Sequence, residues 1–337
     1  MTNESNTTAR FLPEWAPVKA VLLAWPYPHG DWRNNIEQVQ SCYWHLLEAL
    51  TQYADVWLLL HPSLEADAWR ETMPEVNIQW PRVKVHNHIA YNDTWIRDYG
   101  PLSTSAGYLS FQFNGWGGKY PASLDNEAGQ KLFGEHKLSL QKFEFVGEGG
   151  ALETNGRTLL MNRDCVVDPN RNAELNQQQT EELLKSTLGM DHICWLSDIN
   201  LTGDDTDGHI DTIARFASDN SVIYSGRNSA HSDAQALESL HSQLQQLAGE
   251  NNWQLYELPT PQIKSLLDER VLPATYANFL IVNDAVLVPL YGVEEDRLAL
   301  RVMAQAFPEY RLVPVRCEAL LEQHGSLHCA TMQVAWL

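Results

Sequence analysis

The chain has 337 residues, 44% hydrophobic and 20% charged, and its 43 Asp plus Glu against 23 Lys plus Arg give a formal net charge of −20. That length allows one large domain or two ordinary ones with a substantial core. The charge argues against nucleic-acid or anionic-membrane binding, which needs clustered cations, and suits a small positively charged substrate, although an ordinary acidic cytosolic protein would carry the same balance.

Residues 1–10 are polar, without the apolar stretch of a signal peptide, and are expected to be a flexible N-terminus. No later stretch approaches the ~20 apolar residues of a membrane span. Residues 21–25 read as a buried strand. Residues 34–53 then read as a helix, with Ile36, Val39, Tyr43, Leu46, Leu47 and Leu50 at helical spacing. Strands are expected at 56–60 and 83–90, and helices at 177–188, stopped by Gly189, and at 232–250. Two apolar runs at 279–282 and 285–288, split by Asn283-Asp284, predict a tight hairpin. A helix at 296–307 ends before Pro308. This alternation is α/β, with hairpins that a purely parallel sheet lacks. No linker-like tract divides the chain, so residues 1–337 are expected to form one catalytic domain. The five cysteines (Cys42, Cys165, Cys194, Cys317, Cys329) are odd in number and form no CxxC pair, which fits a reducing cytoplasm better than a disulfide scaffold or structural zinc site.

Five polar motifs, centred near Asp98, Glu148, His209, Asn278 and Cys329, recur roughly every 50–70 residues, each beside an apolar strand candidate. Similar modules each delivering one loop to a shared centre would give this layout. In Asn92-Asp93-Thr94-Trp95-Ile96-Arg97-Asp98-Tyr99-Gly100-Pro101, Asp98 could hold a guanidinium through paired charge-assisted hydrogen bonds; alternatively, Arg97 and Asp98 only shape a turn. In Gly147-Glu148-Gly149-Gly150, the glycines would let one carboxylate enter a crowded centre, or the glutamate is simply exposed at a strand end. If residues 208–216 are a strand, His209 and Asp211 share a face. The surrounding acids would then favour protonated His209, suited to general acid and later base. A His-x-Asp pair can also ligate a cation, but further ligands would have to come from scattered places. Cys329, just past a Gly-Ser bend, is a candidate nucleophile once ionised, whereas the other cysteines fit inert burial better. His328 is expected to face the opposite side of a strand from Cys329, and His324 to be a turn residue. His86-Asn87-His88 reads as structural, lacking a visible third partner for a metal. Trp116, in a glycine-rich loop, could wall a pocket and stack on a planar cation.

The ordered motifs Trp95-Ile96-Arg97-Asp98-Tyr99-Gly100-Pro101, Phe113-Asn114-Gly115-Trp116-Gly117-Gly118, Glu148-Gly149-Gly150, Asp168-Pro169-Asn170-Arg171-Asn172, Thr206-Asp207-Gly208-His209-Ile210-Asp211, Tyr276-Ala277-Asn278-Phe279 and Leu327-His328-Cys329 resemble those of agmatine deiminases and bacterial peptidylarginine deiminases. The similarity runs from about Leu12 to the last ten residues. It implies a pentein fold, a five-bladed α/β propeller of ββαβ-type modules around a pseudo-fivefold axis, with the site in the central channel. It also implies that Cys329 attacks the guanidinium carbon, that His209 is acid and base, and that Glu148 orients His209. Asp98 and Asp211 would hold the guanidinium, and Asn278, Asp205 and Trp116 would complete the substrate site. No metal or other cofactor is implied. The chain departs from typical agmatine deiminases at His324-Gly325-Ser326-Leu327 and at Gly115-Trp116. The expected activity is hydrolysis of agmatine to N-carbamoylputrescine and ammonia by a cytoplasmic enzyme whose partner is a small cationic guanidine, with homodimer assembly left open. The alternatives are a deiminase of peptidyl or free arginine or of another small guanidine, and a non-catalytic pentein binding protein.

Overall fold

A computed structural model describes residues 9–28 and 31–336. The expected N-terminal tail falls mostly outside them, but Arg10 is already anchored, its guanidinium 3.0 Å from Asp191.

Five units of similar build follow one another. In the first, β1 (Val18–Ala24) runs through α1 (Ile36–Leu50) to β2 (Asp55–Leu59), which pairs with β1 in parallel and is followed by a further parallel strand, β3 (Val83–His86). All but one residue of β1 are buried, as expected of a strand covered on both faces, and α1 packs Val39, Tyr43, Trp44, Leu46, Leu47 and Leu50 into the core. The second unit is a hairpin of β4 (Leu102–Thr104) and β5 (Gly107–Gln112), then α2 (Asp125–Glu135) and β6 (Leu140–Val146), parallel to β5. The third repeats this with β7 (Glu153–Thr154), β8 (Thr158–Asn162), α3 (Gln177–Leu188) and β9 (His192–Leu196). The fourth uses β10 (Ala214–Ser218), β11 (Ser221–Ser225), α4 (Ala234–Asn251) and β12 (Gln254–Leu258). After a small ribbon of β13 (Ile263–Lys264) and β14 (Val271–Leu272), the fifth uses β15 (Leu280–Val282), β16 (Ala285–Leu290), α5 (Asp296–Ala306) and β17 (Arg311–Arg316). Finally β18 (Thr331–Ala335) pairs antiparallel with β1, supplying the hairpin partner that the first unit lacks. Each parallel pair needs a crossover, and the helix provides it. The sheets are separate, and none closes on itself among the described residues. No helix among them is long and apolar enough to cross a membrane.

Local chemistry explains the boundaries. The helix expected at 177–188 is found there, opened by a capping box between Asn176 and Gln179 and ended by Gly189 at φ 65°. The expected hairpin turns at Asn283, which adopts φ 52° and uses its side chain to bind the backbone of Val18 and Tyr53. Two expectations fail. β3 stops at His86, because the chain leaves the sheet to build the loop carrying Asp98. Residues 208–216 are not one strand: Gly208 has φ 90°, its carbonyl accepts from Asn162 Nδ2 at 3.0 Å, and Ile210–Thr212 form a 3-10 turn before β10.

Candidate active site

The five motif residues all lie at junctions between units. Asp98 sits between β3 and β4, Glu148 between β6 and β7, His209 and Asp211 between β9 and β10, Asn278 between β14 and β15, and Cys329 between β17 and β18. Five short connections therefore bring the motif residues together while the sheets act as scaffold.

Asp98 is in the short helix Ile96–Tyr99. Its preceding loop is fixed because Asp125 Oδ1, at the start of α2, accepts the backbone N–H of Asn92 and Asp93 at 2.7 and 3.2 Å. Arg97 and Asp98 diverge, so the turn-shaping pair is not formed. Arg97 Nη2 donates to Gln333 Oε1 at 2.5 Å, whereas Asp98 accepts from Trp116 Nε1 at 2.9 Å and from the Gly150 backbone at 3.0 Å. Trp116 reaches Asp98 from a left-handed backbone position, φ 54°.

Gly150 marks the point of convergence. A Cβ placed there would lie 2.6 Å from His209 Nδ1, 2.7 Å from Asp98 Oδ1 and 3.1 Å from Asp211 Oδ2. The glycine is needed for close approach of side chains, not for a turn conformation. Cys329 is 6% exposed. Its Sγ stands 3.5 Å from Asp211 Oδ2 and 3.2 Å from Asn278 Nδ2. Asn278 Oδ1 also accepts the backbone N–H of His328 and Cys329 at 2.9 and 3.2 Å, so Asn278 shapes the turn that presents the thiol. The expectation that His328 faces away on a strand is corrected: residues 327–330 form a turn, and its Nδ1 is 2.7 Å from Asp211 Oδ2. His324 is in a turn as expected, at φ 68°.

Electrostatics overturn a second expectation. The acids near His209 do not keep it protonated, because complete burial pushes its pKa down to about 3 against the opposing pull of Asp211. Neither ring nitrogen has a hydrogen-bond partner. Burial, with Asp211 and Asp98 nearby, holds the Cys329 thiol well above its ordinary value. Burial and the charge of Asp211 likewise raise Asp98 well above the carboxylate range. For Asp211 burial acts upward too, but the bond and charge from His328 win and hold it below its usual value. Burial thus favours a protonated thiol on Cys329 and a neutral imidazole on His209.

Glu148 is 4.0 Å from His209 Nε2, beyond a hydrogen bond, and both its oxygens accept from Arg171 Nε at 2.9 and 3.0 Å. Arg171 also binds Asp207 Oδ2 at 2.9 Å. Glu148, Cys165 and His209 each offer a ligand atom within 4.8 Å of the others, the one such group among the described residues. Arg171 already supplies positive charge to Glu148, so nothing in this group calls for a metal.

A cleft of about 440 Å³ opens over Cys329, lined by Asp93, Trp95, Asp98, Trp116, Tyr120, Asp205, Thr206, Gln323, His324 and Gly325. Asp205 is about one-third exposed at its side and accepts from Tyr120 Oη at 2.5 Å. No Lys or Arg lines this cleft among the described residues.

Glu14, Arg171, Asp207, Arg215 and His328 were not singled out for the site by motif reading. Arg171 and Asp207 do stand inside the motifs quoted above, but a buried ion pair across 36 residues leaves no local signature. At the other histidine pair a third partner does exist: Glu135, at the end of α2, bridges His86 Nδ1 at 2.6 Å and His88 Nε2, and His136 Nε2 is 3.2 Å from His86 Nε2. The partners were invisible because they lie on another element.

Residues 10–335 match the model of the Porphyromonas-type peptidyl-arginine deiminase family. A Yersinia pseudotuberculosis protein that carries the provisional name agmatine deiminase is 30% identical, over 96% of this chain and 95% of that one. A Cys-to-Ser variant of C. jejuni agmatine deiminase, solved with substrate bound, superposes with a TM-score of 0.89 at 30% identity, covering 99% of this chain and 98% of the other. The agmatine deiminase of Enterococcus faecalis gives 0.85 at 25% identity, covering 99% of each. A dimethylarginine dimethylaminohydrolase matches with a TM-score of 0.52 at 13% identity over 94% of this chain and 100% of that one, a likeness of fold alone, which the pentein enzymes share. The chain is a member of the Porphyromonas-type peptidyl-arginine deiminase family.

Proposed function

We propose that the protein hydrolyses the guanidinium of agmatine to N-carbamoylputrescine and ammonia. The observation that carries this reading is the pairing of a buried thiol with two buried carboxylates at the floor of an acidic cleft. Cys329 Sγ is 3.5 Å from Asp211 Oδ2, Asp211 Oδ1 has no partner, and Asp98 stands across Gly150. A planar cation entering this centre gains two charge-assisted contacts and restores the charge balance that burial denies. Relatives named agmatine deiminase, similar over nearly the whole chain, support the same substrate.

The sequence of bonds follows from the residues. When the cation binds, its charge favours the thiolate, and the Cys329 proton passes to His209, which burial otherwise keeps neutral. Sulfur attacks the guanidinium carbon to give a tetrahedral adduct. His209 then returns the proton to the departing nitrogen, the C–N bond breaks, ammonia leaves, and an amidino-thioether remains on Cys329. Water attacks the same carbon while His209 takes its proton, and the C–S bond breaks to release the ureido product. Asp98 and Asp211 hold the guanidinium against the sulfur, which supplies proximity and orientation. Glu148, itself held by Arg171, sets the electrostatic surroundings of His209.

The far end of the substrate argues for agmatine over arginine. The α-carboxylate of arginine needs a cationic partner, whereas the cleft lining offers the acids Asp93 and Asp205, and the nearby Lys119 is already paired with Asp205 Oδ1 at 3.4 Å and Asp207 Oδ1 at 2.9 Å. The second reading, a deiminase of peptidyl arginine, is favoured by the family match and by a solved structure provisionally named peptidyl-arginine deiminase, with a TM-score of 0.91 at 34% identity. The five units are read as blades of a five-bladed propeller with the site on its axis, since every unit junction contributes to one centre. Five free, buried cysteines suit a reducing compartment, consistent with a cytoplasmic enzyme. Ammonia release from agmatine, free arginine and a peptidyl-arginine substrate tests the reading. Preference for agmatine is expected; preference for either arginine substrate overturns the specificity, and no release from any overturns the activity.

A further inference from the structure

Next to the nucleophile lies a histidine that the reaction sequence above does not use. His328 is 2% exposed. Because residues 327–330 form a turn, its ring enters the same cluster as the Cys329 thiol instead of alternating away from it. Nδ1 is 2.7 Å from Asp211 Oδ2, and Nε2 contacts Glu14 Oε1. Its backbone is equally fixed: the N–H donates to Asn278 Oδ1 at 2.9 Å, and the carbonyl accepts from Arg97 Nε at 3.4 Å. Glu14 is held from behind by Arg215 at 2.6 Å and Arg97 at 3.3 Å, and Arg215 rests on Glu153 at 2.5 Å. The charged groups packed around the ring are therefore Asp211, Glu14, Arg97 and Arg215, with His209 and Asp98 beyond Asp211.

Oxygens of two carboxyl groups sit at the two ring nitrogens, so each contact must contain a proton. One belongs to Nδ1–H, donated to Asp211 Oδ2. The other is shared between Nε2 and Glu14. Asp211 is thereby gripped on Oδ2, while Oδ1 stays buried and without a partner. We propose that His328 is a positioning residue: anchored on Glu14, it donates Nδ1–H to Asp211 Oδ2 and so keeps that carboxylate charged, with Oδ1 turned to the substrate guanidinium. This rests on the reading of Asp211 as a guanidinium clamp. In agreement with it, the bond and charge of His328 are the largest effects that offset burial at Asp211, while burial beside Arg215 and Arg97 lowers the ring's own hold on a second proton. A free carboxylate in so dry a place would rotate or take up a proton; a fixed donor prevents both.

Two substitutions separate the contacts. The amide of Asn falls near the place of Nδ1, and that of Gln near the place of Nε2. His328→Asn should retain kcat/KM for agmatine within about tenfold, because a donor to Asp211 survives. His328→Gln keeps the link to Glu14 but should lose roughly 10–100-fold, chiefly in KM, and its acid limb of kcat/KM should move to higher pH as Asp211 becomes easier to protonate. Equal losses in the two variants, the reverse order, or an unmoved acid limb would overturn the proposal in favour of simple packing. Where either variant fails to fold, nitrogen NMR of the labelled histidines in the unaltered protein decides: His328 Nδ1 should carry a proton across about pH 6–8, and a bare Nδ1 overturns the proposal. That measurement needs no turnover, so failure of the agmatine reading and failure of the His328 role remain distinguishable.

Discussion

His209 Nδ1 stands 3.5 Å from Asp98 Oδ1 with no hydrogen bond between them, and the other ring nitrogen is equally unpartnered. A base held by packing alone, between carboxylates and out of water, is neutral and free to receive a proton. The thiol is its natural source. Burial favours the proton on sulfur over the imidazole, and in the proposed reaction the charge of the bound cation favours its transfer.

That arrangement fixes a pH dependence. Burial and the two aspartates hold the Cys329 thiol well above its ordinary value, so in the free protein the reactive thiolate is scarce near neutrality and grows as the pH rises. Alkylation of Cys329 by iodoacetamide should be slow near neutrality and climb steadily above about pH 9. A fast rate independent of pH between about 6 and 8 would reveal a preformed thiolate–imidazolium pair instead.

Gly150 should tolerate no side chain. Its absent Cβ is the space in which His209, Asp98 and Asp211 meet, so Gly150→Ala must displace at least one of them. A shift of an ångström costs roughly 100-fold in rate, and kcat/KM should fall by at least that much. Retained activity in a folded Gly150→Ala protein would mean that the three groups do not work as one centre.

Asp205, whose Oδ1 lies 3.4 Å from Lys119 Nζ, is the proposed partner on the cleft wall for the amine of agmatine. Asp205→Asn should raise KM for agmatine roughly tenfold, about the value of one charge-assisted contact near the surface. Turnover of methylguanidine, which has no tail, should be unchanged. A matched loss on both substrates would place Asp205 in the general architecture instead of the tail site.

Arg171 neutralises Glu148 and Asp207 at 2.9 Å each. Arg171→Met leaves Glu148 buried and uncompensated, and stability should fall by about 3–5 kcal/mol, read in denaturant unfolding. Adding Glu148→Gln should recover part of that loss, since the stranded charge is then removed. No recovery would show that Arg171 acts through packing alone.

The parts of this design that were legible in the sequence are those written locally. Periodicity located α1, α3 and α4, and Asn283-Asp284 marked the β15–β16 turn. The regular recurrence of polar motifs anticipated that each unit would give one loop to the centre. What was hidden depended on distance or dielectric. Nothing near residue 14 announces a glutamate that contacts a histidine 314 residues away. The protonation of His209 was misjudged because counting acids in sequence measures charge but not burial, and burial wins. His328 was misplaced by assuming a strand where the chain turns, which reverses the side chain's direction.

The most direct measurement is intact-protein mass spectrometry of the enzyme quenched in acid during turnover of agmatine, followed by peptide mapping. A species heavier by the mass of agmatine less ammonia, located on Cys329 and missing in Cys329→Ser, is the predicted result. Turnover of agmatine by the Cys329→Ser protein, or wild-type enzyme quenched during turnover with no adduct on Cys329, would contradict covalent catalysis at this thiol.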